Sequence, residues 1–295
     1  ALRLKKQPAS MVIIGGGYIA AELAHFFASL GTKVTILQRS GWLLTAEDSE
    51  VAKAFTRLFE KKHNIILNAA TERVFKQGKN IAVEYSVGGE KHIVSGEQLL
   101  VATGRVPNSD ILDVGKTGVI TRKPGFITTN AFMETNVPGI WAFGDIAGVF
   151  LFKHSANLEA AYANHNAFNP KNKAKVPYDA MPHAVFSSPQ IAGVGMTEEE
   201  LKEKKIPYVV GRYRYYDSAY GKSIEDKDGF VKVLADPKTR QILGCHILGS
   251  DASILIHEVV VAMKAKLGVD GILSAVHVHP ALPEVVQRAF ANIRF

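Results

Sequence analysis

The chain has 295 residues, 47% hydrophobic, with a net charge of +7 and one cysteine; that length holds about two or three buried cores. One cysteine excludes an intrachain disulfide framework, a CxxC redox pair and a multi-thiolate zinc site within it. No apolar run reaches the roughly 18 residues of a membrane span, residues 1–10 lack a signal peptide's apolar core, and basic patches such as 171–175 and 202–205 carry no interleaved aromatics, so the expectation is a cytoplasmic protein with no membrane or nucleic-acid partner.

Residues 1–10 read as a linker. Met11 to Glu22, MVIIGGGYIAAE, then reads as strand, tight turn and helix. Gly15 makes the turn, Gly17 lets backbone approach a pyrophosphate, and Ala20 is small enough for close helix–strand packing, while the helix N-terminus offers amides to phosphates. The competing reading is a glycine-rich turn with no ligand. Ile19, Leu23, Phe26, Phe27 and Leu30 are expected on one inward helical face, and Gly31 ends the helix. Lys33 to Leu37 follows as the second strand, which makes a dinucleotide site the favoured reading.

Gln38-Arg39-Ser40 lies where such folds select their cofactor. A carboxylate there accepts from the ribose 2′-hydroxyl of NADH, whereas an arginine suits the 2′-phosphate of NADPH. Arg39 therefore leans the reading to NADPH, with a plain surface arginine as the alternative. Glu47 to Lys62 is an amphipathic helix with Val51, Phe55, Leu58 and Phe59 inward. Asn64 to Leu67 is a strand, and 71–75, 81–87 and 91–94 form an antiparallel meander. Gln98 to Ala102 returns as a buried strand and closes the first domain at Thr103-Gly104-Arg105.

Beyond Val106 the pattern is irregular until Ile140 to Phe143, an expected strand that delivers Gly144-Asp145 ahead of a helix over 152–168. An aspartate at a strand's carboxyl end suits a ribityl or ribose hydroxyl; a simple capped turn is the other reading. Residues 171–177 read as a linker to an α+β module. Its strands are expected near 183–186, 190–194, 208–215, 230–235 and 241–248, and its helices near 197–204, 251–266 and 281–291. Near the end, His279 and Glu284 are spaced so that a carboxylate can orient an imidazole for general acid–base work, against a plain surface histidine at a helix start. A metal site on His277 and His279 lacks a nearby third ligand.

GGGYIAAE (15–22), VATGR (101–105), AFGD (142–145) and HPALPE (279–284), in that order, resemble the pyridine nucleotide–disulfide oxidoreductases, homodimeric flavoenzymes that include the dihydrolipoamide dehydrogenases. The resemblance covers essentially the whole chain. It implies an α/β fold with a Rossmann-type NAD(P)-binding domain at 1–103, the C-terminal half of an FAD-binding domain at 104–175 and an α+β dimerisation domain at 176–295. It implies that Gly15, Gly17 and Ala20 meet the NAD(P) pyrophosphate, and that Tyr18 shields the flavin. Glu22 then matches a glutamate that pairs with a lysine beside the flavin. Arg39 matches one of two basic residues for the 2′-phosphate, but the second position is Thr45, which leaves NADH and NADPH both open. Thr103, Gly104, Gly144 and Asp145 belong to cofactor-binding motifs, Asp145 for the FAD ribityl chain. Lys153 and His154 open the helix that faces the flavin ring, and His279 with Glu284 matches the catalytic dyad, which serves the redox disulfide of the opposite subunit. The implied activity is FAD-dependent NAD(P)H:disulfide oxidoreduction on a small disulfide or dithiol substrate by a homodimer.

The family's first glycine motif and its CxxxxC pair are not in this sequence, and Cys245 is expected to be a buried apolar residue. The reading is therefore a C-terminal portion of a larger flavoprotein, inactive alone, with weak or absent FAD binding of its own. The alternative is a non-catalytic NAD(P)-binding dimerisation module.

Overall fold

A computed structural model describes residues 1–295. Its contacts divide the chain into two compact units, residues 1–103 with 182–295, and residues 104–181. The nucleotide-binding and C-terminal segments, set apart as two domains in the sequence reading, thus belong to a single unit.

In the first unit, β1 (Ser10–Ile14), β2 (Lys33–Leu37), β3 (Asn64–Ile66) and β7 (Gln98–Val101) form a parallel sheet in the order β3-β2-β1-β7. Helices α1 (Tyr18–Ser29) and α2 (Ser49–Glu60) complete it, and β4 (Ala70–Gln77), β5 (Asn80–Val87) and β6 (Glu90–Gly96) are the expected meander. β1 is apolar without alternation because both its faces are covered. Met11 and Ile13 join the core with Ala20, Ala24, Phe27, Phe55 and Phe59, while Val12 turns to the opposite core with Leu37, Val83 and Tyr85.

The inward face of α1 differs from expectation. Ala20, Ala21, Ala24 and Phe27 are buried, whereas Ile19, Phe26 and Leu30 are exposed. The helix is apolar nearly all round, so periodicity does not choose its inner face; the alanines do, because their small side chains let the helix lie close on the sheet.

In the second unit, β8 (Thr121–Arg122) and β9 (Phe126–Ile127) form a two-residue ribbon, and α3 spans Lys153–Phe168. The strand expected at 140–143 does not form. Trp141 makes a single bridge to Glu134, and one bridge is not a ladder. Helix α3 buries polar residues: Glu159 accepts from the Gly144 amide (2.5 Å) and the Tyr178 hydroxyl (2.9 Å), and Asn166 binds the carbonyls of Phe132 and Ala174. Hydrogen bonds thus complement a small apolar core.

The remainder of the first unit is an antiparallel sheet of β10 (Pro182–Val185), β11 (Gln190–Gly195), β12 (Val209–Arg214), β13 (Phe230–Ala235) and β14 (Ile242–Gly249), ordered β10-β11-β14-β13-β12. Helices α4 (Glu198–Glu203), α5 (Ala219–Ser223), α6 (Ala252–Lys264), α7 (Gly268–Ser274) and α8 (Pro283–Ala291) accompany it; α5 and α7 were not anticipated. Cys245 is fully buried in β14, and burial pushes its thiol pKa up, so it is core rather than nucleophile.

Register gives this sheet an unusual feature. His183 lies opposite Gly193, Gly193 opposite His246, His246 opposite Lys232, and Lys232 opposite Arg212. Four basic side chains therefore occupy one row across five strands, since directly paired residues share a face. Carboxylates meet three of them from the α2 entry and from α4, while His246 bonds the Met196 carbonyl at 3.0 Å. Glu47 accepts from His183 (2.9 Å), Asp48 pairs with Lys232 (2.8 Å), and Glu198 pairs with Lys232 (2.7 Å). Glu50 pairs with Arg212 at 2.8 Å. Asp48 also caps α2 through the Glu50 amide. This seam fastens the nucleotide-binding segment to the C-terminal sheet.

Candidate functional site

The glycine turn separates two kinds of glycine. Gly15 has φ +111°, and a Cβ there would lie 2.4 Å from the Ala102 carbonyl oxygen, so backbone packing alone demands glycine. Gly17 is the N-cap of α1 with φ −84°, and apart from its two chain neighbours nothing lies within 4 Å of its missing Cβ. The fold has no internal use for that open space. No side chain from Gly17 caps α1 and no acidic residue sits in its first turn, leaving a positive helix end beside the opening. These residues fit a dinucleotide pyrophosphate. Ala20 is fully buried against the sheet, where a larger side chain would separate helix from strand.

Arg39 is exposed two residues past the end of β2, and Thr45 is exposed in the following loop. Gln38 turns inward, donating to the Trp42 carbonyl at 3.1 Å and packing over Gly16, so it does not present a polar group where a ribose-binding carboxylate would stand.

Tyr18 and Glu22 project from the start of α1. The Tyr18 hydroxyl donates to Glu47, whose side chain is fully buried, and its ring stacks on His183 with 6.1 Å between centroids. Burial, with the Glu47 charge, pushes the Tyr18 pKa well up. Glu22 accepts from the Phe186 amide at 3.0 Å. Thr103 is exposed after β7, and Gly104 has φ +129°, a conformation that favours glycine.

The second unit holds a cavity of about 380 Å³ lined by Arg105, Pro107, Asn108, Phe126, Asp145 and Ile146. Asp145 pairs with Arg105 at 2.5 Å and remains half exposed. Gly144 has φ +73°, and a Cβ there would sit 3.2 Å from that of Ala156, so the approach to α3 is tight. Lys153 bonds Asn157, and exposed His154 stacks on Phe152 at 5.2 Å. No side chain from Phe152 caps α3. A carboxylate at a cavity rim and an uncapped helix start fit a polyhydroxyl chain and an electron-rich ring edge, the two parts that FAD presents.

The structure brings His279 and Glu284 together. The imidazole Nδ1 lies 3.0 and 3.1 Å from the two carboxylate oxygens, and the Ala281 amide fixes the carboxylate further. The hydrogen bond to His279 lowers the Glu284 pKa. A carboxylate only accepts, so Nδ1 carries the proton and Nε2 is the basic nitrogen. The His279 side chain is 69% exposed, leaving Nε2 accessible. His277, two residues earlier, turns to Glu258 at 3.0 Å and shares no metal site with His279.

Sequence reasoning did not anticipate Glu47, His183, Lys232 or Arg105 as partners of these groups. Asp48 stands inside the helix expected from Glu47 but is in fact its N-cap, and the basic row exists only through strand register.

Residues 1–167 match the family described as pyridine nucleotide-disulphide oxidoreductase, and 181–290 match its dimerisation domain. Dihydrolipoyl dehydrogenase 1, mitochondrial, of Arabidopsis thaliana is 35% identical over 292 residues, covering 98% of this chain and 57% of that protein. Mycothione reductase of Mycobacterium tuberculosis is 35% identical over 298 residues, covering 99% and 64%. The flavoprotein disulfide reductase RclA of Escherichia coli, solved as a Cu(II) complex, superposes with a TM-score of 0.88 at 28% identity, covering 98% of this chain and 65% of that one. This chain therefore spans less than two thirds of the length of these relatives. With both segments matched over nearly its whole length, the chain belongs to the pyridine nucleotide-disulphide oxidoreductase family.

Proposed function

We propose that this chain supplies the nicotinamide-nucleotide site, the acid–base dyad and the dimer contacts of an FAD-dependent NAD(P)H:disulfide oxidoreductase acting on a small disulfide or dithiol. The observation that carries the reading is His279: an exposed imidazole fixed at Nδ1 by a carboxylate on the same chain as an open glycine turn. A nucleotide-binding module alone has no use for an oriented surface base. Bound FAD would relay the two electrons of a nicotinamide hydride toward a disulfide. Asp145 would hold its hydroxyl chain and the start of α3 its ring edge. The dinucleotide phosphates would lie on the amides after Gly17, with Arg39 beside the ribose. His279 would give a proton to a departing thiolate through Nε2 and take it back in the reverse direction, while Glu284 keeps the ring oriented. Exposed Ile254 and Val261 on α6, with Val276 and Val278 beside the dyad, supply apolar surface for a second copy of the chain.

A second reading, a nucleotide-binding dimerisation module without redox chemistry, draws on Cys245, the sole cysteine and wholly buried. One measurement separates them: intact mass and absorbance of the protein from its native source. Flavin bands near about 450 nm, with NAD(P)H-dependent disulfide reduction, support the oxidoreductase. A colourless 32.1 kDa protein supports the module.

A further inference from the structure

His279 stands on a stretch with little backbone support. Helix α7 ends at Ser274 and α8 begins at Pro283. Residues 276–280 between them make no backbone–backbone hydrogen bond, so the path of the chain there depends on side chains. Val276 and Val278 point outward, 100% and 75% exposed, while the His277 side chain between them is only 7% exposed. Its Nδ1 lies 3.1 Å from the Ala275 carbonyl oxygen, and its Nε2 lies 3.0 Å from Glu258 on α6. A carbonyl only accepts, so Nδ1 carries a proton. The bond between Nε2 and the carboxylate needs one further proton, and the pair is neutral whichever atom holds it. The second carboxylate oxygen of Glu258, Oε1, is buried without a hydrogen bond, which leaves His277 as the group this carboxylate holds. Burial also pushes the Glu258 pKa up. From the other side, Gln287 of α8 donates to the same Ala275 carbonyl at 3.2 Å.

We propose that His277 and Glu258 are positioning residues for His279, tying the segment that presents it to α6. The proposal rests on the role of the His279–Glu284 dyad assigned above. Glu284 orients the ring, whereas this tie fixes the backbone from which the ring projects. Without the tie, residues 276–280 are free to move and the His279 ring loses its constant place against Glu284.

The test reads the two imidazole nitrogens of His279 by NMR in the full chain at about pH 9, above the ordinary imidazole pKa. Held against Glu284, the unsubstituted ring keeps its proton on Nδ1. In Glu258→Leu the signals are expected to move toward a mixture with the proton also on Nε2. Glu258→Gln is expected to keep the original signals, because its amide can donate to Nε2 of His277. Gln287→Leu, at a partly exposed position where folding is not at stake, is expected to move the signals the same way by less. In the flavin-loaded protein from its native source, Glu258→Leu is expected to lower kcat for disulfide reduction about 10–100-fold with KM unchanged, the scale of a misplaced reacting group. Unmoved signals in the leucine variants, or equal loss in Glu258→Gln and Glu258→Leu, overturn the proposal. An unsubstituted flavin-loaded protein that reduces no disulfide, with His279 still responding to the variants, overturns the function proposed above and not the tie.

Discussion

Two of the chain's histidine–glutamate pairs have nearly equal geometry in opposite surroundings. His183 meets Glu47 at 2.9 Å with side chains 18% and 0% exposed; His279 meets Glu284 at 3.0 Å with side chains 69% and 14% exposed. The first belongs to a seam of acids and bases between the nucleotide-binding segment and the C-terminal sheet, where Glu47, Asp48 and Lys232 are buried. There a pair holds segments in register, because breaking it leaves a desolvated charge behind. The second pair leaves the imidazole's far edge in reach of a reactant, and holding it costs the fold little. The same two side chains serve as a fastener or as a proton carrier according to what covers them.

The largest expected effect tests the exposed member. On the proposed function, His279→Gln in the flavin-loaded protein from its native source is expected to reduce disulfide turnover by about 10²–10⁴-fold, the range general acid–base groups supply. Its thermal midpoint should match that of the unsubstituted protein. A large loss of stability would make the exposed pair a fastener too and erase the contrast.

Lys232→Met tests the seam. The lysine is 1% exposed and pairs with Asp48 and Glu198, so its removal strands carboxylates in the interior. An expected loss of about 3–5 kcal/mol should appear in urea unfolding. The seam also has a pH signature. Burial pushes the Glu198 pKa up, but hydrogen bonds from Lys202, Lys232 and Tyr208 outweigh it and hold the value down at about 2. A carboxyl lowered in the folded state contributes stability above its ordinary pKa and loses it as pH falls. Unfolding free energy should therefore decline from about pH 5 toward pH 2, and more shallowly in Lys232→Met.

The glycine turn repeats the contrast at smaller scale. Gly15→Ala forces a side chain into a strained backbone at φ +111° and against the Ala102 carbonyl, with an expected cost of roughly 1–3 kcal/mol. Gly17→Ala meets no neighbour, so stability should change by less than about 1 kcal/mol while NADH binding weakens about tenfold or more. If both variants fold and bind alike, the turn does not divide into a structural and a ligand-facing glycine. The smallest effect is expected from Arg73→Ala, whose bridge to Glu84 leaves the arginine 66% exposed; the thermal midpoint should not move measurably.

The sequence alone determined what depends on neighbours along the chain. Apolar runs bounded by glycine and proline located the parallel strands and the meander, and α3 begins one residue from its expected start. His279 and Glu284 were legible as a pair because one turn leading into a helix spans both. Tertiary structure decided what depends on partners far apart. It chose alanines over larger side chains for the inner face of α1, since helix–sheet distance is a property of packing and not of periodicity. It left residues 140–143 without a ladder, since a strand needs a neighbour. It also aligned His183, His246, Lys232 and Arg212 in one row against acids from distant segments. In the sequence Lys232 is one polar residue in FVKVLA, and only the register of five strands makes it the centre of a buried ionic seam.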